Sequence, residues 1–326
     1  MPGDGKPGGP AGPPASVRAL ADLPLADLAL SASGPECRAK SLADGLMLSP
    51  LPASLWAEAE SLYQALLGQE QARFRFLWTS AGAPAITLRV QRRDTARGVV
   101  FVARRLDAVP RAFSDLGLPT AVTRRLMDPN LRAGLILFAG GPGAGKTTAA
   151  CALLLARLSQ SGGFTWTAEN PVEYDMQGDY GAGQCYQEEI VDDADVSRVL
   201  SDTLRSSADT FYIGEIREQA AARTACLAAA SGMLVVSTIH ADNAQQALVK
   251  LGLLADLPSV AQTLQALITL HLLSRRSAQG TTRILKAEPF FVTEEQQRMK
   301  IREGQVASLK TDIERQTNAL LMGRSF

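Results

Sequence analysis

The chain contains 326 residues, of which 46% are hydrophobic, 20% are charged and 6% are aromatic. This length and composition are typical of a folded globular chain of about two domains, and they exclude a mini-protein. Because 33 Lys and Arg residues balance 33 Asp and Glu residues, no overall positive charge attracts nucleic acid or acidic lipid, and only a local basic patch could do so.

The N-terminal third of the sequence predicts a tail, a small domain and a linker. Residues 1–16 are rich in Gly and Pro and cannot bury enough apolar surface to offset the entropy of ordering, so this tail is predicted to be disordered. Over 53–67, apolar residues recur at helical spacing and predict an amphipathic helix. Alternating, β-branched and aromatic residues predict short strands farther on. These strands span 74–79, 85–91 and 99–103. Residues 17–108 therefore predict a compact α+β domain, and the stretch 109–119, which contains Pro and Gly, predicts a linker.

After residue 120 the pattern changes to apolar strands that alternate with helices. This alternation predicts an α/β domain over 120–326, with a parallel sheet and crossover helices. The predicted strands span 135–139, 164–169, 210–214 and 234–239. The predicted helices between them span 146–159, 194–206 and 217–231. From residue 260 onward we expect a helix, two short strands at 272–274 and 282–291, and polar helices after Thr293.

A glycine-rich loop follows the first strand of this domain and fits the pattern G-x-x-x-x-G-K-[ST]. Its residues are Gly140, Gly141, Pro142, Gly143, Ala144, Gly145, Lys146, Thr147 and Thr148. In such a P-loop, glycines let backbone N–H groups face the β- and γ-phosphates, the lysine supplies a positive charge, and the first threonine hydroxyl reaches Mg²⁺. The loop lies between an apolar strand and a predicted helix, which favours a phosphate site over a glycine-rich turn that binds nothing.

Carboxylates and a histidine follow three later strands. Glu215 ends the strand 210–214, as in a Walker B segment that places an acid beside Mg²⁺ or the attacking water. Glu169 and Glu173 follow the strand that starts at residue 164, and parallel strands bring such residues to one edge of the sheet. Considered alone, each acid could belong to a solvated turn. His240 follows the strand 234–239, where it could sense the γ-phosphate or simply be a hydrogen-bonded structural residue.

Together, and in this order, the motifs resemble those of the secretion ATPases of type II secretion, type IV pili and related conjugation systems. That family carries a Walker A loop, an acidic Asp box, a Walker B segment and a His box. The last three correspond here to Glu-Asn-Pro-Val-Glu from Glu169, Gly-Glu-Ile-Arg from Gly214 and Ser-Thr-Ile-His from Ser237. The resemblance covers most of 85–290. The short N-terminal domain and the lack of a four-cysteine metal motif look more like retraction-type ATPases, or those of conjugative thin pili and type IVB secretion. The direction of motion stays open.

The resemblance implies an ATP-hydrolysing homohexamer. Its N-terminal domain would be PAS-like and its C-terminal domain RecA-like, with ATP bound between the two and its turnover moving one against the other. The implied location is cytoplasmic and peripheral at the inner membrane, through a platform protein of a pilus or secretion system. No direct nucleic-acid partner is expected. The absence of an apolar run of about 18 residues agrees with membrane contact through a partner.

The resemblance also implies roles for residues that contact the nucleotide and the metal. Lys146 and Thr147 would hold phosphate and Mg²⁺. Glu215 would be the Walker B acid and a partner of the metal. Glu173, the second acid of the Asp box, is expected to activate water, and Glu169 is the reserve candidate.

Further implied residues stand around this centre. His240 falls at the His-box position that responds to nucleotide state, and Arg217 at the Walker B arginine position. Arg89 and Arg104 match arginines that reach the phosphates from the N-terminal domain, so that catalysis would depend on domain closure. A solvated sheet face is the alternative for these two arginines.

Departures from the family pattern leave other functions open. Asn170 stands where the family has Asp, and Ser206-Ser207-Ala208 replaces Gln-Asp-Pro. These changes suggest, as an alternative, a nucleotide-binding regulatory switch with little turnover. A RecA-like nucleic-acid motor is a third hypothesis, but it needs a basic stripe or an aromatic stacking platform, and neither is evident in the sequence.

Overall fold

The computed structural model describes residues 18–23, 25–41, 47–80, 82–106, 109–277, 280–321 and 324. The predicted tail over 1–16 lies outside these residues. The chain divides into two units, Met1–Ala108 and Val109–Phe326. No helix in the described ranges is long and apolar enough to cross a membrane.

The N-terminal unit is an antiparallel sheet with one long helix. Its elements are β1 (Leu25–Leu30), β2 (Arg38–Ser41), β3 (Leu48–Pro50), α1 (Trp56–Leu67), β4 (Arg73–Trp78), β5 (Ile86–Thr95) and β6 (Gly98–Arg105). The strand order is β3-β2-β1-β6-β5-β4. On the inner face of α1, Leu62 and Leu66 are buried in a core that also holds Leu88 and Phe101 of the sheet. The predicted helix and three predicted strands are therefore present, whereas β1, β2 and β3 were not predicted.

The C-terminal unit is a larger α/β assembly. Its first elements are α2 (Thr120–Leu126), β7 (Gly134–Gly140), α3 (Lys146–Ser161), β8 (Gly163–Glu169), β9 (Gly178–Tyr180), β10 (Gly183–Glu189), α4 (Val196–Arg205) and β11 (Thr210–Ile213). The chain continues through α5 (Gln219–Ala230), β12 (Leu234–His240), α6 (Ala244–Leu254), α7 (Leu257–Thr263), β13 (Leu264–Ser277), β14 (Gly280–Phe291), α8 (Glu295–Arg302) and α9 (Lys310–Leu321).

The strands of this unit form one sheet in the order β14-β13-β7-β12-β11-β8-β10-β9. The six strands from β13 to β10 run parallel, and β14 and β9 are antiparallel at the two edges. This arrangement confirms the predicted α/β class with a parallel sheet.

Strand β7 shows why this sheet has helices on both faces. All seven of its residues are buried. Because successive side chains of a strand point to opposite faces, Ile136 and Phe138 enter a core with α3, whereas Leu135 and Leu137 enter a second core with α5 and α6. The two-sided burial fixes the register and brings the carboxyl ends of the parallel strands to a common edge.

The register places the predicted motifs at that edge. His240 of β12 lies opposite Gly140 of β7. Ile213 of β11 lies opposite both Ala168 of β8 and Ser237 of β12. The residues that follow these strands therefore emerge side by side, as expected for ligand-binding loops of an open parallel sheet.

Two predicted segments differ from the structure. Within the stretch predicted as a linker, 109–119, Phe113 and Leu118 are buried in the core beside α3. Strand β13 has 14 residues, whereas the pattern predicted three, because its first half, Leu-Gln-Ala-Leu-Ile-Thr-Leu, is mostly apolar and resembles a buried helix. Ser207, one of the three residues that replace Gln-Asp-Pro of the family pattern, has a left-handed backbone conformation with φ of 54°.

Candidate functional site

A cavity of about 350 Å³ opens at the carboxyl edge of the parallel sheet. Its volume lies in the range of small-molecule sites. Six of the nine P-loop residues line it, namely Pro142, Gly143, Gly145, Lys146, Thr147 and Thr148. The other predicted residues that line it are Glu169, Glu173, Glu215, Arg217 and His240. The structure thus brings the four motifs of the C-terminal unit to one cavity.

Gly140, Ala144 and Gly145 determine the backbone path of the P-loop. A Cβ atom on Gly140 would lie 2.6 Å from the carbonyl oxygen of Leu270, so the loop leaves β7 where only glycine fits. Ala144 is buried in the core, and its N–H donates to the carbonyl oxygen of Gly141 at 3.2 Å. Gly145, with φ of 90°, precedes the first residue of α3. The positive end of this 16-residue helix therefore faces the cavity, which favours an anion there.

Lys146 places a buried positive charge in the cavity wall. Only 7% of the residue is exposed. Its Nζ donates to the carbonyl oxygen of Gly141 at 3.0 Å and lies 3.4 Å from Nδ1 of His240. Burial lowers the pKa of the ammonium group, and the negative charges of Glu215 and Glu173 oppose this shift. An anion that enters the cavity would stabilise the charged form of Lys146.

The carboxylate of Glu215 is held between two basic side chains. Its Oε2 accepts a hydrogen bond from Nε of Arg217 at 2.7 Å, and its Oε1 lies 3.1 Å from Nε2 of His240. Among the described residues, that buried Oε1 accepts no well-directed hydrogen bond. His240 therefore lies between Lys146 and Glu215, with one ring nitrogen near each of them.

The acids of the Asp box occupy different environments. Glu169 is 1% exposed, and its Oε1 accepts hydrogen bonds from Oγ1 of Thr167 at 2.7 Å and from Nε2 of Gln187 at 2.8 Å. Glu173 lies on the loop after β8 and is exposed at the cavity. Water can reach Glu173 more easily than Glu169, and the choice of Glu173 as the water activator stays a prediction.

Two further cavity residues were not singled out from the sequence. Oγ1 of Thr238 donates to the carbonyl oxygen of Gly214 at 2.8 Å, and the hydroxyl of Tyr212 donates to the same oxygen at 3.4 Å. Burial raises the pKa of Tyr212 well above its usual value, so its hydroxyl stays protonated. Both side chains fix the exit of β11 just before Glu215. Two sequence signals could have identified these residues. Thr238 is part of the His-box motif, and Tyr212 brings a hydroxyl group into a mostly apolar strand.

Arg89 and Arg104 belong to the N-terminal unit. They lie opposite each other on β5 and β6. Nε of Arg104 forms an ion pair with Oδ1 of Asp27 at 2.7 Å. Their contact with a nucleotide stays a prediction.

Asn170, the departure in the Asp box, uses its amide as a donor. Its Nδ2 donates to the carbonyl oxygen of Val191 at 3.1 Å and to Oδ1 of Asp193 at 3.3 Å. An aspartate could make neither hydrogen bond and would repel Asp193. The amide therefore ties the start of this loop to the segment after β10.

We expect Asn170→Asp to destabilise the C-terminal unit by about 1–2 kcal/mol, because two hydrogen bonds are lost and a like charge faces Asp193. The thermal unfolding midpoint should fall by roughly 2–8 °C. Asn318→Asp, at an exposed position of α9, is the matched control and should change it by less than about 2 °C. Equal melting of Asn170→Asp and the unmodified chain would show that these hydrogen bonds do not stabilise the unit.

Comparison with known proteins agrees with these motifs. The family model described as "Type II/IV secretion system protein" matches residues 75–315. The type IV pilus ATPase PilU of Pseudomonas aeruginosa is 33% identical over 151 residues, which are 46% of this chain and 38% of PilU. A putative type II secretion system protein E of Escherichia coli is 34% identical over 173 residues, which are 52% of this chain and 34% of that protein. The chain thus matches little more than a third of the length of these relatives.

Solved structures share the fold over a larger part of the chain. The pilus retraction motor PilT with bound ADP aligns with a TM-score of 0.66 at 23% identity, covering 93% of this chain and 87% of that one. The ATPase DotB of Legionella pneumophila aligns with a TM-score of 0.65 at 17% identity, covering 90% and 84%.

The parallel sheet and the glycine loop with its buried lysine define an α/β protein of the P-loop class. Within that class, the chain belongs to the type II/IV secretion system protein family, the secretion ATPase superfamily that its motifs predicted.

Proposed function

We propose that this chain is an ATP-hydrolysing motor subunit of a type IV pilus, a type II secretion system or a conjugative or type IVB secretion machine. The observation that carries the proposal is the cavity that buried Lys146, at the start of α3, lines together with Glu215 and Glu173. The names of similar proteins support it, since PilU is a pilus ATPase and the PilT structure contains ADP.

The residues of the cavity fit a triphosphate with Mg²⁺. The glycine loop, the amino end of α3 and Lys146 suit the phosphates. The hydroxyl of Thr147 and the carboxylate of Glu215 are the oxygen ligands that Mg²⁺ prefers, and Oε1 of Glu215 is buried without a well-directed hydrogen bond in the described part of the chain. Bound there, Mg²⁺ would neutralise charge that develops on the phosphates.

The side chains around the phosphates would have different roles in hydrolysis. Water attacks the terminal phosphorus, the bond to the ADP oxygen breaks, and we assign acceptance of the water proton to the exposed Glu173. Glu169 is the buried reserve for that role. Arg217 holds Glu215 in place at 2.7 Å. His240, which lies near both Lys146 and Glu215, would respond to the presence of the γ-phosphate.

Assembly and location are part of the same proposal. The subunit would work as a homohexamer, with a PAS-like N-terminal unit, a RecA-like C-terminal unit and ATP bound between them. Arg89 and Arg104 would reach the phosphates on closure, which couples hydrolysis to motion. The hexamer would act in the cytoplasm at the inner membrane, through a platform protein of the pilus or secretion machine.

Removal of the metal tests the proposed chemistry. We expect phosphate release from ATP by the purified chain to fall about 100-fold or more when EDTA replaces Mg²⁺, because the charge of the phosphates is then not neutralised. Re-addition of Mg²⁺ should restore the rate. A rate with Mg²⁺ that equals the EDTA rate would contradict the proposed ATPase and favour a nucleotide-binding switch.

A further inference from the structure

Gln187 lies beside the Asp box, although none of the sequence motifs contains it. It belongs to β10, in register with Thr167 of β8. Since residues two apart in a strand share a face, Thr167 and Glu169 lie on the same side of the sheet. Thr167 and Gln187 both donate to Oε1 of Glu169, at 2.7 and 2.8 Å. A cross-strand pair thus fixes the orientation of the buried carboxylate.

The same amide also holds the loop that carries Glu173. Nε2 of Gln187 donates to the carbonyl oxygen of Tyr174 at 3.0 Å, and Oε1 of Gln187 accepts from the N–H of Met176 at 2.6 Å. Both hydrogens of the amide nitrogen and its oxygen are therefore in use. The hydroxyl of Tyr174 lies 2.8 Å from Oγ1 of Thr148 in the P-loop. One side chain is thereby connected to both Asp-box acids and, through Tyr174, to the phosphate loop.

Few side chains could replace Gln187. Glu169 is 1% exposed, so its carboxylate needs donors, whereas the N–H of Met176 needs an acceptor. A glutamate at 187 keeps an acceptor but loses both donors and adds a like charge. A leucine offers neither, and an asparagine is one methylene shorter.

We propose that Gln187 is a positioning residue that fixes Glu169 and the Glu173 loop relative to the cavity. Gln187 is not among the residues that line the cavity, so it acts through the two glutamates and not on the nucleotide. The inference rests on the proposed ATP hydrolysis and deepens it.

The test is steady-state phosphate release by Gln187→Leu, with ATP and Mg²⁺. The kcat should fall about 10–100-fold, the size of effect seen when a residue that orients a functional ligand is lost. The KM for ATP should stay within about twofold, because Gln187 does not line the cavity and none of the P-loop residues is substituted. Gln184→Leu is the matched control, on the same strand but the opposite face, where Gln184 accepts a hydrogen bond from Tyr186. Its kcat should equal that of the unmodified chain.

A combined variant separates positioning from a general structural role. If Gln187 acts through Glu169 and Glu173, adding Gln187→Leu to a chain that carries both Glu169→Gln and Glu173→Gln should lower kcat much less than Gln187→Leu lowers it in the unmodified chain. Gln187→Glu keeps the shape of the side chain and should also lower kcat, which covers the case in which Gln187→Leu does not fold.

Three results would overturn the inference. They are an unchanged kcat in a folded Gln187 variant, an equal loss in Gln184→Leu, and a Gln187→Leu effect that is as large in the chain carrying both glutamate substitutions as in the unmodified chain. An unmodified chain that releases no phosphate above the Lys146→Ala blank would instead overturn the proposed function, and this inference with it.

Discussion

Lys146→Ala is expected to lower ATP-dependent phosphate release about 1,000-fold, to the level of a reaction without protein. Loss of a single preorganised donor to a developing charge costs about 100- to 1,000-fold in rate, and Lys146 is also 7% exposed, so that water cannot easily replace it. Its Nζ is held by Gly141 at 3.0 Å and lies 3.4 Å from His240, ready for a phosphate oxygen. The measurement is steady-state phosphate release at saturating ATP and Mg²⁺.

A control must separate loss of this charge from loss of any lysine. Lys310→Ala removes a lysine whose side chain is 71% exposed and should leave the rate within about twofold of the unmodified chain, as for most surface substitutions. Circular dichroism and thermal melting should show that Lys146→Ala remains folded. A folded Lys146→Ala variant with normal turnover would remove the P-loop from the mechanism.

Much of the cavity could be predicted from the sequence, because its residues belong to short motifs of consecutive residues. The glycine pattern from Gly140 to Lys146 is contained in seven consecutive residues, so it can be recognised without knowledge of distant contacts, and apolar strands on either side of helices predict a parallel sheet. Once the strands are parallel, their carboxyl ends must share an edge. For this reason Glu169, Glu215 and His240, far apart in sequence, could be expected near the loop, and the structure places them at one cavity.

The parts that could not be predicted depend on tertiary contacts. Strand β10 is Gly-Gln-Cys-Tyr-Gln-Glu-Glu, which has few of the β-branched residues that mark a strand, and its pairing with β8 supplies the stability. Because β10 was missed, Gln187 had no predicted neighbour. Similarly, β2 and β3 contain four and three residues, too few for a periodic pattern. The burial of Phe113 within the predicted linker depends on packing beside α3.

The family pattern alone is also an incomplete guide to the Asp box. A missing acid at Asn170 suggests weakened catalysis when it is compared with the family pattern. The structure shows the Asn170 amide donating to Val191 and Asp193, so this position stabilises the loop. The carboxylates that line the cavity, and that are predicted to take part in hydrolysis, are those of Glu169, Glu173 and Glu215. The departure therefore does not by itself favour a switch over an ATPase.

Glu215→Gln should give a chain that binds ATP but hydrolyses it about 1,000-fold more slowly. Glutamine keeps the size of the side chain but removes the negative charge that Arg217 and His240 hold in place at 2.7 and 3.1 Å. Without that charge the metal loses an anionic ligand, and acid–base or electrostatic contributions of this kind are worth about 100- to 10,000-fold. Lys146 and the glycine loop remain, so the affinity for ATP should change less than about tenfold. Single-turnover assays with radiolabelled ATP would measure both quantities.

The charge of Glu215 also stabilises the protonated form of Lys146, so Glu215→Gln should change the pH dependence of ATP binding as well as the hydrolysis rate. Burial lowers the pKa of Lys146, and Glu215 is the largest influence that raises it. Removing that charge lowers the pKa further, so Lys146 loses its proton at a lower pH. As pH rises, ATP binding by Glu215→Gln should therefore weaken at a lower pH than binding by the unmodified chain. Glu218→Gln, an exposed neighbour at the start of α5, should change neither the hydrolysis rate nor this pH dependence. Rapid hydrolysis by Glu215→Gln, or the same slow rate in Glu218→Gln, would contradict the role given to Glu215.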